Sequence, residues 1–411
     1  MITGFIAVIS IYHVTRLLFN KRTALFALFF AAVNFYLIRY SQEVRSYSLL
    51  ILLANYSFYF FTQIVREGFR KKRARNYIIV TTFMLYTHYF SLFVIGAQFF
   101  AFLFLVDWSE IRKNLKSYLI TFALPNLLFL FWVPNILDGL KKERGAWRDE
   151  AQLSLVYEYA RDFFNDTYLA IIAIVVLFVT LLYFLLRKHY NLEKIQKQLK
   201  PDHVALIVLL TWIIVYFMLP YLKSSLSSTM MFNRYFIPLV PPVLILMSFY
   251  ISKINGALLR NGVFLALVGY SVYILFSHKN PYYTQTHMYR EATKELKETS
   301  PNAYVLQHGK IWFYFDYYLR QNDFENISEG YDVNGRNAHF EKLIEKDNPE
   351  EYYGLLNLRP LLNQFKDSTI APIKGYKEVE SKIYKNSYGR ECTKVIKYIK
   401  VKDTIITQIE P

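Results

Sequence analysis

Apolar stretches of roughly 15 to 20 residues with little or no internal charge recur near 1–15, 23–38, 46–65, 118–137, 167–186, 203–221, 233–251 and 258–277, and a longer one runs 77–106. About 20 residues at about 1.5 Å rise per residue cross a hydrocarbon core about 30 Å thick. A soluble core can hide one helix of that kind but not a series, so the pattern restricts the chain to a polytopic membrane fold. The expected architecture is mainly α: a polytopic transmembrane helical bundle of about 10 membrane segments over residues 1–277, then a small C-terminal extracytoplasmic α/β domain over 278–411.

The net charge of +16 raises the question of nucleic acid, and its distribution answers it. Residues 1–277 hold 28 Lys+Arg against 13 Asp+Glu, whereas 278–411 hold 20 against 19. The cations gather in "RLLFNKR" (16–22), "REGFRKKRARN" (66–76) and "RKHYNLEKIQKQLKPDH" (187–203), with three, six and five apiece. The positive-inside rule puts these segments in the cytoplasm, so the excess is a topology signal and implies no nucleic-acid partner. The only cysteine, Cys392, excludes an intramolecular disulfide and says nothing about compartment.

The long apolar run sets a parity problem. About 30 residues in one helix would extend about 45 Å, too long for a single crossing without strong tilt. A single crossing also puts "DWSEIRKNLKS" (107–117) and every later basic loop outside. A turn near Tyr86-Thr87-His88-Tyr89 keeps both basic flanks inside, so two short half-helices are expected to meet at His88. Backbone that breaks at such depth must border protein or a watery cavity. The external segments are then 39–45, 138–166, 222–232 and the tail.

The tail changes character, with strand-like "AYVLQHG" and "KVIKYIKV" and helix-like "MYREATKELKET". Its length suits one small domain. The first span begins at Met1 without flanking charge, the pattern expected of a chain lacking an upstream helix and loop. It has no basic n-region or cleavage site of a secretory signal.

Four stretches could carry chemistry, and each has a plainer reading beside it. In "RYSQEVRSYSLL" (39–50), Gln42, Glu43 and Arg45 stand at an outer mouth, where an arginine fork suits a phosphate and a carboxylate can orient it or move a proton. Equally, Arg39 and Glu43 can pair at a helix end while Ser41 or Ser46 caps. In "MLYTHYFSLF", His88 is an ionisable group within an apolar run, suited to a cavity or to a neutral imidazole bonded to a neighbouring helix. "NRYFIPLVPP" puts Arg234 and Tyr235 before Pro238, Pro241 and Pro242, either a helix start reshaped around a ligand or an interfacial anchor. "GAWRDE" places Trp147 in an external loop, where an aromatic ring can stack on a sugar or simply cover a surface helix. Walker A, dinucleotide, HExxH and paired-cysteine zinc patterns are absent from the sequence.

The ordered set "YSQEVRSYSLL", "YTHYF" and "NRYFIPLVPP", with the "GAWRDE" loop and soluble tail, resembles bacterial integral-membrane glycosyltransferases of the GT-C fold, in the family of protein O-mannosyltransferases and aminoarabinose transferases. The resemblance covers about residues 1–290. It implies transfer of a sugar from a polyprenyl-phosphate donor to a lipid, glycan or protein acceptor outside the cytoplasmic (inner) membrane. It further implies Arg45 and Arg234, with Gln42, Tyr235 and Trp147, as donor phosphate or sugar contacts, and Glu43 and His88 as catalytic orienting or proton-handling groups. The family's acidic residue, an Asp followed by Glu in the first external loop, would lie upstream of Met1. No cofactor is implied, and a divalent metal stays open. A noncatalytic membrane scaffold or lipid-binding relative, and a polysaccharide polymerase or ligase, are the rival readings.

Overall fold

A computed structural model describes residues 2–105, 108–135, 138, 152–186, 201–226, 230–277, 288–307, 312–325, 327–329, 338–357, 373–385 and 391–401. The chain divides into two compact units, Met1–Phe276 and Ser277–Pro411. In the first, the helices are α1 (Ile2–Leu18), α2 (Lys21–Ala32), α3 (Phe35–Gln42), α4 (Tyr47–Glu67), α5 (Lys71–Thr87), α6 (Ser91–Leu105), α7 (Trp108–Phe129), α8 (Leu155–Phe164), α9 (Thr167–Leu186), α10 (Pro201–Leu226), α11 (Val240–Ser252) and α12 (Ala257–Phe276). A 3-10 turn, Asn233–Leu239, leads into α11.

Among the described residues, six helical stretches are long and apolar enough to cross a membrane, and the pair α2 and α3 makes a seventh if it is one span bent by 57°. Helices α1 and α6 are shorter apolar helices. The bend interrupts the span expected as one helix over 23–38, and Asn34 causes it. Its side-chain oxygen caps α3 by accepting the Leu37 N–H at 3.0 Å, while its amide donates to the Phe163 carbonyl at 3.0 Å. The expected serine caps do not form: Ser46 makes no side-chain cap bond to α4, and the Ser41 hydroxyl donates back to Ile38.

The long apolar run does turn at His88, but its limbs are 17 and 15 residues rather than two short halves. Helix α5 starts at Lys71, inside the basic segment, because long basic side chains reach water while their stems lie along the helix. Both basic flanks consequently share one end of the bundle. There Arg66 donates to the Leu17 carbonyl, Thr23 meets Ser252 at 2.9 Å, Lys253 pairs with Asp202 at 2.6 Å, and Phe69 packs on Tyr118 with ring centres 5.5 Å apart. A cysteine at the exposed Lys113, in a Cys392→Ala background, is expected to react with an impermeant maleimide only after cells are permeabilised; labelling of intact cells would overturn this topology.

Between the ends, side chains rather than backbone join the helices. Phe58 stacks on Trp212 with ring centres 3.7 Å apart, and a buried chain links Thr81 to Ser57, Ser57 to Gln98 and Gln98 to Tyr77 at 2.9, 2.8 and 2.7 Å. A polar group in hydrocarbon needs an internal partner, and each of these four side chains has one.

The second unit has helices α13 (Tyr289–Thr299), α14 (Trp312–Gln321) and α15 (Ala338–Asp347), and strands β1 (Val305–Gln307), β2 (Ile327–Glu329), β3 (Glu351–Asn357), β4 (Tyr376–Lys385) and β5 (Glu391–Lys400). The sheet order is β2-β1-β3-β5-β4, with β1 parallel to β2 and β3, and β5 antiparallel to β3 and β4. The runs read as strands become β1 and β5. Tyr352 and Tyr398, opposite each other in β3 and β5, stack with ring centres 4.7 Å apart.

Candidate functional site

At the end of the bundle away from the basic segments, three chain reversals meet: residues 43–46 between α3 and α4, residues 88–90 between α5 and α6, and the 3-10 turn 233–239. Proline chemistry shapes the last of these. A 3-10 helix would bond the Tyr235 carbonyl to the N–H three residues on, but that residue is Pro238, which has none. The Tyr216 hydroxyl donates to that carbonyl instead, at 2.8 Å. Pro241 and Pro242 occupy the first turn of α11, where a missing N–H costs least.

The turn presents Arg234. Its backbone N–H bonds the Asn233 side-chain oxygen at 2.7 Å, and the Asn233 amide donates to Asp162 of α8 at 2.8 Å. The guanidinium lies 4.2 Å from the centre of the Phe232 ring and 5.7 Å from that of Tyr235. Among the described residues it forms no ion pair, and its Nε is buried without a hydrogen-bond partner. A half-buried guanidinium held over aromatic rings, with donors left over, suits an anionic oxygen.

His88 caps α5 with extended backbone. Its Nδ1 accepts the Phe90 N–H at 3.1 Å, so the neutral ring carries its proton on Nε2 and acts there as a donor. The imidazole lies 5.1 Å from the Tyr235 ring centre and 6.0 Å from that of Tyr47, and Arg234 is in electrostatic range of His88, Tyr47 and Tyr40. Arg45, exposed at the start of α4, also acts on Tyr47. Thus His88, Arg234 and Tyr235 come together, with Arg45 at the rim. Glu43 is instead paired with Arg39 at 3.6 Å, half-exposed, and Gln42 ends α3 exposed beside it. Trp147 lies outside the described residues. Among the described residues no three His, Cys, Asp or Glu side chains gather as a metal site.

Residues 1–132 match the family model described as dolichyl-phosphate-mannose-protein mannosyltransferase. Over those residues the chain is similar to a GT-C mannosyltransferase family. Solved structures similar to the chain include the Archaeoglobus fulgidus oligosaccharyltransferase in the apo form, at 14% identity and a TM-score of 0.48 over 87% of this chain and 58% of that one. Another is the archaeal oligosaccharyltransferase AglB from Archaeoglobus fulgidus in complex with an inhibitory peptide and a dolichol-phosphate, at 12% identity and a TM-score of 0.46 over 86% of this chain and 57% of that one. The chain thus spans under two thirds of the length of these two proteins. Among curated protein sequences, none matches.

The membrane unit also holds two groups at this end that local sequence does not single out, Asp162 and Asn233. Asp162 sits in the segment 138–166, expected to be external, near the end of α8. The burial of α8 along Leu155, Tyr159 and Phe163 follows the four-residue period of that helix, and this brings Asp162 beside the 3-10 turn. Burial pushes its carboxyl up from the ordinary aspartate range, against the opposing Asn233 hydrogen bond and the charges of Arg161 and Arg39.

Proposed function

We propose that the chain is a membrane glycosyltransferase that moves a sugar from a polyprenyl-phosphate donor to a lipid, glycan or protein acceptor on the outer side of the cytoplasmic membrane, with the second unit extracytoplasmic. The observation that carries this is Arg234, poised over aromatic rings with a buried, unpartnered Nε beside a donor imidazole. The match of residues 1–132 to a family described by its dolichyl-phosphate-mannose donor supports the donor class, and the basic opposite end supports the orientation.

In the reaction, the bond between the anomeric carbon and the phosphate oxygen breaks and its electron pair stays on the phosphate. Arg234 and Arg45 hold that growing negative charge, and the His88 Nε2–H donates to the same oxygens or to a sugar hydroxyl. The acceptor oxygen bonds to the anomeric carbon as its proton leaves to a carboxylate. Glu43 takes that proton, Gln42 and Trp147 contact the sugar, and Tyr235 walls the pocket. Asp162 is a positioning residue, acting on Arg234 through Asn233.

Proteoliposomes holding the full chain are expected to convert a radiolabelled polyprenyl-phosphate sugar into labelled acceptor and free polyprenyl phosphate. Vesicles that bind the lipid without releasing labelled acceptor would favour the noncatalytic reading, and transfer only from diphosphate-linked glycan would favour a polymerase or ligase.

The positioning role has a pH signature. A carboxyl whose pKa is raised by burial takes up its proton at a higher pH than an ordinary aspartate, and the charge-assisted bond to Asn233 weakens as it does so. Transfer is therefore expected to decline on the acid side sooner than an exposed aspartate would dictate. Asp162→Asn should run about tenfold slower and lack that limb. An unchanged profile in Asp162→Asn would remove Asp162 from the mechanism.

A further inference from the structure

The second unit contains a polar cleft of about 290 Å³, near the lower limit of about 300 Å³ typical of ligand pockets. It forms because the sheet extends past its helix. Helix α13 packs through Leu296 against a core that includes Val395 of β5 and Leu355 of β3. Strand β4, at the sheet edge, stays exposed along most of its length. Alternation along the strands then aims Glu380, Lys382 and Tyr384 of β4, Lys397 of β5 and Tyr353 of β3 into the gap, opposite Glu295 of α13.

The charges in this cleft are largely matched already. Lys382 pairs with Glu295, holding that carboxyl below its ordinary range, and Lys397 pairs with Glu351 at 2.8 Å. Each ammonium also lies over a tyrosine, Lys382 at 5.3 Å from the Tyr384 ring centre and Lys397 at 5.5 Å from that of Tyr353. The Tyr353 hydroxyl shares a hydrogen bond of 2.7 Å with Ser300. Among the described residues Glu380 is in no ion pair. A phosphate or carboxylate would therefore find both lysines committed and would meet the charge of Glu380.

An uncharged ligand with adjacent hydroxyls meets the opposite situation. Glu380 has two oxygens to accept from neighbouring hydroxyl groups, the Tyr384 hydroxyl bonded to Glu295 and the Tyr353–Ser300 pair keep lone pairs that accept, and the two rings offer apolar surface to ring C–H groups. We propose that this cleft binds a neutral carbohydrate unit. Such binding goes beyond the transfer reaction and does not require it.

The test uses the full chain in nanodiscs and saturation-transfer NMR with the methyl glycosides of glucose, galactose, mannose and N-acetylglucosamine, with glucuronate and inorganic phosphate as anionic competitors. At least one neutral glycoside is expected to bind, neither anion to displace it, and Glu380→Gln and Tyr384→Leu each to weaken it roughly tenfold. Arg234→Ala should leave the signal unchanged, which separates this cleft from the membrane site. Glu380 is exposed, so its substitution decides the matter even if Tyr384→Leu fails to fold. Absence of binding by every glycoside, survival of the signal in Glu380→Gln, displacement by either anion, or loss of the signal in Arg234→Ala would each overturn the proposal.

Discussion

Arg234→Ala is expected to cut sugar transfer by about 10²–10³-fold, the range found when a preorganised donor to developing negative charge is removed. The residue stands where the leaving phosphate would gather charge, with no carboxylate paired to it among the described residues and with its Nε buried. Truncation removes the charge but no backbone contact, because the bonds that shape the turn come from the Arg234 N–H, the Asn233 side chain and the Tyr216 hydroxyl. The variant should therefore extract and migrate like the parent. Arg234→Lys keeps a charge but loses the planar fork and its stacking on Phe232, so it should recover only part of the rate. Initial rates with saturating lipid-linked donor, read beside size-exclusion profiles, check this. Transfer by Arg234→Ala within threefold of the parent would move the phosphate site elsewhere.

The spans, the basic end and the reversal at His88 were legible because each depends on local composition: apolar length for a crossing, cation count for a side, and an odd run length for a turn. Arg234 and His88 were legible for a related reason, since a charge or imidazole beside a long apolar run is costly wherever it lies. Two kinds of feature were not. The bend at Asn34 depends on a tertiary bond to Phe163, some 129 residues away, so the run over 23–38 reads as unbroken until α8 is in place. Asp162 is hidden by the same helix, since a carboxylate on an amphipathic surface helix looks solvated until its neighbour is known. Glu43 shows the converse. Its spacing from Arg39 spelled out an ion pair, and the structure has that pair at 3.6 Å, so any proton-handling role must break or share it.

The largest effect on stability is expected at Trp212. Its side chain is fully buried in α10 and stacked on Phe58 of α4 at a 12° interplanar angle. In a bilayer, burying apolar area against another helix gains little over lipid, so what Trp212→Ala removes is packing, and the cavity left behind carries the cost. A loss of about 3 kcal/mol, the low end for Trp→Ala in a core, is expected. Trp212→Phe makes the informative contrast. The indole N–H has no hydrogen-bond partner among the described residues, so the smaller ring keeps the stack while deleting a buried, unsatisfied donor. Its cost should stay under about 1.5 kcal/mol. The soluble fraction after graded heating in detergent, read by size exclusion, should rank Ala well below Phe, and equal losses would show that volume is not what Trp212 contributes. The effect should also reach the site. Tyr216 lies one turn farther along α10 and holds the Tyr235 carbonyl that Pro238 leaves without a backbone donor. A loosened α10 should therefore slow transfer in Trp212→Ala below the melting range, with no change at any residue that faces the donor.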